Sequence, residues 1–171
     1  MTKLPIAVFL ILFTFSAYAQ KTGDDAEAYL NKGFAKHVSV DYYGAIKDYN
    51  KAIELNPDNA GIYYNRGNAK GNLGYHYGAI QDYNKAIELK PDYARAYFGR
   101  GADKEEFGDH YGAIKDYNKA IEMIPDFTEA YIGRGAAKYN LGDRKGACLD
   151  WSKAGELGYY KAYELIKQLC K

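Results

Sequence analysis

The sequence predicts an all-α solenoid in which four helical hairpins stack one upon the next, and three observations carry that reading. First, YGAIKDYNKAIE at Tyr43–Glu54 returns unchanged at Tyr111–Glu122, with YGAIQDYNKAIE at Tyr77–Glu88 between them and a worn copy, KGACLDWSKAGE, at Lys145–Glu156. Each copy begins 34 residues after the last, a period that marks a repeat architecture. Second, apolar residues fall at helical spacing within a copy. Ala45, Ile46, Tyr49, Ala52 and Ile53 form one side, and Lys47, Asp48, Asn50, Lys51 and Glu54 the other. Third, Pro57, Pro91 and Pro125 close the first three copies, because proline cannot continue a helix and restrains the residue before it.

The first element has a different character. Lys3 precedes an uncharged run, Leu4–Gln20, with an apolar heart at Ile6–Phe15 and then Ala17-Tyr18-Ala19. That pattern predicts a secretory signal peptide over 1–19, cleaved after Ala19, with a linker over 20–25. A membrane-spanning helix needs about 20 apolar residues. This run is shorter, so the cleaved chain is expected not to insert in a membrane and to be secreted or periplasmic.

Each hairpin needs a helix before the dodecapeptide. Tyr29, Tyr63, Tyr97 and Tyr131 mark it, each followed one helical turn later by Gly33, Gly67, Gly101 or Gly135. Glycine inside a helix costs about 1 kcal/mol relative to alanine, so four at one phase predict close packing. Ala45, Ala79, Ala113 and Ala147 are the matching small residues on the second helix. Tyr-x-x-Arg-Gly, then Gly-Ala-Ile-x-Asp-Tyr-x-x-Ala, then proline, resembles the tetratricopeptide repeat (TPR) over about 26–161. Tyrosine stands where that family usually has tryptophan, Arg66, Arg100 and Arg134 where it usually has leucine, and Tyr159 where the fourth proline belongs.

The resemblance implies a right-handed α-α superhelix of four TPR hairpins at 26–59, 60–93, 94–127 and 128–161. A hairpin of this kind cannot bury its apolar face alone, so stacking builds the core. A C-terminal capping helix over 162–171, buried through Tyr163, Leu165, Ile166 and Leu169, closes the array. Tyr49, Tyr83, Tyr117 and Trp151 match the family's buried aromatic position, and Tyr43, Tyr77 and Tyr111 are expected to be more exposed. Lys32, Arg66, Arg100 and Arg134 share one phase, Lys36, Lys70, Lys104 and Lys138 lie one turn on, and Asp48, Asp82, Asp116 and Asp150 share a phase on the second helix. This predicts an arginine–aspartate ladder where hairpins touch.

Composition narrows the function. The chain has 171 residues, 47% apolar and 26% charged, which suits a folded soluble protein. Its 23 basic and 22 acidic residues supply no net field for nucleic acid or an anionic membrane. The zinc-protease His-Glu-x-x-His, the Gly-x-Ser-x-Gly elbow and the phosphate loop are all missing from the sequence, so no catalytic residue, metal or cofactor is assigned. His37, His76 and His110 read as solvated turn residues, and Glu105 and Glu106 as a solvated face.

The resemblance further implies that the first helices line a concave groove for an extended peptide or a partner's helix. The candidate groove residues are Asn31, Phe34, Tyr64, Asn65, Asn68, Asn72, Arg95, Phe98, Tyr139 and Asn140, with Glu105, Glu106 and Ile132 on the same face. Amides can pair with a peptide backbone and rings give apolar anchors. The family's clamp for a chaperone's C-terminal carboxylate wants Lys, Asn, Asn, Lys and Arg where this chain has Leu30, Phe34, Asn65, Arg95 and Gly99. Only Asn65 and the cationic Arg95 comply, so no such clamp is expected. Cys148 and Cys170 should lie nearly level on antiparallel helices, as a disulfide or as two buried thiols. The expected function is a non-catalytic scaffold for another protein or peptide, in the cell envelope or outside the cell. The alternative is a binder of a small molecule or a cell-wall glycan in the same groove.

Overall fold

A computed structural model describes residues 23–170. Helix α1 covers 23–38. It is followed by α2 (Tyr42–Leu55), α3 (Ala60–Asn72), α4 (His76–Leu89), α5 (Ala94–Glu106), α6 (His110–Met123), α7 (Thr128–Asn140), α8 (Arg144–Glu156) and α9 (Ala162–Leu169). Among the described residues there is no strand, and no helix is long and apolar enough to cross a membrane. The signal peptide expected over 1–19 lies outside the described residues, as do 20–22. Residues 23–25, assigned to the linker, are helical.

Helix ends follow from local chemistry. Asp41, Asp109 and Asp143 accept hydrogen bonds from the backbone N–H of Gly44, Gly112 and Gly146, capping α2, α6 and α8. The turns into α4, α6 and α8 pass through Gly74, Gly108 and Gly142 at φ of 77°, 84° and 85°, where glycine has no Cβ to clash. The equivalent residue before α2 is Val40, held at φ 66°. A β-branched residue is rarely found there.

Neighbouring helices pack in chain order, and the odd helices α3, α5 and α7 also touch one another. The result is an all-α solenoid with a large aromatic buried at the same position of every hairpin, Tyr49, Tyr83, Tyr117 and Trp151, and Tyr63 is buried as well. Tyr43, Tyr77 and Tyr111 are exposed. The glycine stripe does close the packing, chiefly through the rings, with Ala113 also against Gly101. A Cβ added at Gly33, Gly67, Gly101 or Gly135 would lie 2.6, 2.9, 3.0 or 2.5 Å from the nearest atom of Tyr49, Tyr83, Tyr117 or Trp151. Ala45, Ala79, Ala113 and Ala147 are fully buried alongside.

The same rings meet a second set of glycines on the next hairpin. A Cβ at Gly99 would fall 2.7 Å from Tyr83, and one at Gly133 would fall 2.7 Å from Tyr117. Tyr83 is therefore held between Gly67 and Gly99. Gly99→Ala gains about 1 kcal/mol of helix propensity, whereas overpacking costs about 1–3 kcal/mol. The ring cannot retreat toward Gly67, so the overpacking cost should win. Thermal unfolding is expected to shift down, by about 1 kcal/mol of stability, and an unchanged or raised midpoint would show that the ring yields.

The charged phases form a ladder, although its main rungs lie within hairpins rather than between them. Arg66, Arg100 and Arg134 each donate two hydrogen bonds to Asp82, Asp116 and Asp150 of their own hairpin, at 2.5–2.9 Å. Lys70, Lys104 and Lys138 lie 2.8 Å from the same carboxylates. The bond to the preceding hairpin runs from arginine Nη1 to Asn50, Asn84 and Asn118, at 2.6–2.7 Å. At the cap, Tyr163 is exposed rather than buried, while Leu165, Ile166 and Leu169 pack against Trp151 and its neighbours.

Candidate functional site

The odd helices present the face on which the candidate groove residues were placed, and a cavity of about 530 Å³ opens between α3 and α5. Tyr64, Asn68, Gly71 and Asn72 line it from α3, and Phe98, Gly99, Ala102, Asp103 and Glu106 from α5. His76 and Tyr83 reach it from α4, and His37 from α1. A neighbouring cavity of about 420 Å³ lies between α5 and α7. Tyr64 and Phe98 line both, and Arg95, Ile124, Asp126, Phe127 and Glu129 complete the second.

The aromatic walls form a chain of contacts. Tyr64 lies 6.1 Å from Tyr83 and 5.0 Å from Tyr93, ring centre to ring centre. Phe98 lies 5.8 Å from Tyr117 and 5.0 Å from Phe127. These separations fall in the range where tilted aromatic pairs attract.

The polar floor is built around Tyr83, which donates to Asn68 Oδ1 at 2.7 Å. Burial pushes its phenol well above the ordinary tyrosine range. The Tyr49 hydroxyl finds no partner among the described residues, because Phe34 stands where Asn68 stands one repeat later, and its pKa is pushed up to about 12 by burial.

Asp103 was not anticipated. Its phase holds Ala35, Ala69 and Ala137 in the other repeats, yet the aspartate is only 6% exposed. His76 Nδ1 lies 2.5 Å from its Oδ1 and joins α4 to α5. Burial raises the Asp103 pKa, and the His76 bond opposes the rise. The missing side chain of Gly71 makes room, since a Cβ there would lie 2.9 Å from Oδ2 of Asp103. A charge at an alanine phase was the available sequence signal.

The histidines also differ from the expected solvated turns. His110 Nδ1 lies 3.0 Å from Glu105 Oε2, and Glu105 Oε1 accepts from Asn140 at 2.7 Å. Glu105 is thus engaged rather than solvated. His37 Nε2 lies 3.4 Å from Asn72 Nδ2, and burial lowers its pKa. No group of three or more metal-ligating side chains occurs among the described residues.

Of the ten candidate groove residues, Tyr64, Asn68, Asn72, Arg95 and Phe98 line the two cavities. Asn65 is half-buried beside them. Asn31 and Phe34 are exposed on α1. Tyr139 stacks on Trp151 at 5.8 Å, and Asn140 is committed to Glu105. Cys148 and Cys170 are bonded, with Cα atoms 6.0 Å apart.

A family model described as TPR repeat matches residues 41–74 and 76–102, and one described as tetratricopeptide repeat matches 94–127. No curated protein sequence matches the chain. Among solved structures, one of MamA is 29% identical with a TM-score of 0.75, covering 87% of each chain. The Arabidopsis OM64 TPR domain is 27% identical with a TM-score of 0.69, covering 70% of this chain and 98% of that one. The first TPR of Spaghetti (RPAP3), bound to the HSP90 peptide SRMEEVD, is 28% identical with a TM-score of 0.69, covering 70% of this chain and 95% of that one.

Proposed function

Because the chain belongs to the tetratricopeptide-repeat family, we propose that it is a non-catalytic scaffold that holds an extended segment of another protein along α3, α5 and α7. The observation that carries this is the pair of adjoining cavities sharing Tyr64 and Phe98. Their rings offer apolar anchors, and Asn68 and Asn72 offer amides suited to a peptide backbone. The related Spaghetti domain in complex with a peptide supports the same use of the fold.

The scaffold works after export, in the cell envelope or outside the cell. The signal-like N-terminal sequence supports this, as does the Cys148–Cys170 bond, since disulfides persist in oxidising compartments. The grip differs from a C-terminal carboxylate clamp, because Leu30, Phe34 and Gly99 replace three of its five polar residues.

Phage-displayed peptides selected on the purified protein provide the test. Selected peptides are expected to bind at micromolar strength, about −8 kcal/mol, and Phe98→Ala should weaken them by about 2 kcal/mol, as loss of a buried aromatic anchor does. SRMEEVD should bind no better than a scrambled control. Saturable binding to a cell-wall glycan array, with no peptide selected, would replace this reading with the glycan one.

A further inference from the structure

Asp103 breaks the repeat at a position where a carboxylate is costly to bury, and it does so inside the cavity. Where the other repeats place alanine, this hairpin carries an acid that is 6% exposed. Its Oδ1 is met by His76. The Tyr83 hydroxyl, which donates to Asn68 at 2.7 Å, also lies close enough to hydrogen-bond the Asp103 carboxylate. A carboxylate has about four acceptor sites, so part of its capacity is unspent.

The surroundings favour a cation as the missing partner. Glu106 is the second acid lining the cavity, and no lysine or arginine lines it. Burial lowers the His37 pKa, which disfavours its cationic form. The floor is thus acidic, while Tyr64 and Phe98 on either side suit the aliphatic stem of a long basic side chain and attract its charged head. An anionic guest would face two carboxylates.

We propose that this cavity is a recognition pocket for a lysine or arginine side chain of the bound polypeptide, with the cationic head on the Asp103 carboxylate. The pocket deepens, and rests on, the peptide-holding function, and it selects a basic residue at the point of the guest that crosses from α3 to α5. Burial raises the Asp103 pKa against the opposing bonds from His76 and Tyr83, so the charged carboxylate would gain from a further cationic partner. An arriving ammonium or guanidinium would supply one.

The test is an NMR titration of the 15N-labelled protein with Nα-acetyl-lysine methylamide, its norleucine and glutamate counterparts, and free cadaverine. The lysine probe should shift the amides of Gly71, Asn72, Ala102 and Asp103 and bind at least about tenfold tighter than norleucine, the factor that a hydrogen bond to a charged group supplies. Asp103→Ala restores the residue found at Ala69 and Ala137 and so keeps the fold. It and Asp103→Asn should both abolish the preference, while Glu129→Gln in the neighbouring cavity should not.

Equal binding of norleucine and lysine, or a preference that survives Asp103→Asn, overturns the pocket. Cadaverine binding more tightly than the lysine probe overturns its assignment to a peptide side chain. Selected peptides that need Phe98 but are indifferent to Asp103 would leave the scaffold function standing without this pocket. Lysine binding at Asp103 without any selected peptide would do the reverse.

Discussion

Asp116→Ala is expected to destabilise the protein by about 3–5 kcal/mol, the cost of removing one partner from a buried charge pair. The carboxylate side chain is 5% exposed and faces two cations. Arg100 reaches it through Nε at 2.9 Å and Nη2 at 2.5 Å, and Lys104 lies at 2.8 Å. Alanine would leave both cations beside a void. Arg100 is 17% exposed and sits over the Tyr97 ring, 5.2 Å from its centre, so it has little freedom to turn toward water.

The first hairpin provides an internal comparison. Asp48 faces Lys36 at 2.6 Å, but its second cation, Lys32, is 3.8 Å away and 61% exposed. Asp48→Ala should therefore cost less than Asp116→Ala, because a solvated lysine loses little when its partner goes. Asn84→Ala should cost about 1 kcal/mol, the net worth of an ordinary hydrogen bond, by removing the inter-hairpin acceptor of Arg100. Urea denaturation followed by circular dichroism would measure all three. A loss below about 1 kcal/mol for Asp116→Ala would mean that the cations resolvate freely, and the ladder would then add little to the register of the helices.

Most of the architecture was legible because the repeat states each instruction several times. The aromatic at Tyr49, Tyr83, Tyr117 and Trp151, the glycine that meets it, and the charged phases all recur at one spacing. The ladder was placed between hairpins because phase alone cannot tell which neighbouring aspartate an arginine meets. Asp116 follows Arg100 by 16 residues within one hairpin and Asn84 precedes it by 16 in the hairpin before, so sequence separation does not decide it either. Of the inter-hairpin acceptors, Asn50 was placed only on the polar side of the second helix, and its counterparts Asn84 and Asn118 were not singled out.

The candidate site coincides with cavities in its middle and not at its ends. A cavity forms where two first helices are backed by a second helix, as Tyr64, Asn68, Asn72, Arg95 and Phe98 are. Asn31 and Phe34, on the first helix, line neither cavity, while Tyr139 and Asn140, on α7, turn to Trp151 and Glu105 instead. His76 was discounted as a turn residue. It opens α4 close to α5, and a buried acid on that helix is enough to capture it. The repeat pattern explains what is common to the hairpins, and the proposed pocket sits where one hairpin departs from it.

Reduction of the Cys148–Cys170 bond is expected to cost about 3 kcal/mol by the chain-entropy account of a loop this size, for a separation of 22 residues. The loss should fall mainly on the cap. Helix α9 has eight residues, fewer than the roughly 12–15 an isolated helix needs to persist in water, and it packs on α8. Leu165, Ile166 and Leu169 are only partly buried against Ala147, Trp151 and Ala154. Because a solenoid couples each unit mainly to its neighbours, α9 and then α8 should loosen while α3–α5 hold. Hydrogen exchange with and without dithiothreitol would show faster amides in α8 and α9 and unchanged ones in α3 and α5. Uniform acceleration along the whole array would mean that the cap sustains every hairpin rather than the last. The unreduced, denatured protein should titrate with no free thiol, and two thiols in the exported protein would remove both the crosslink and the support it lends to an oxidising location.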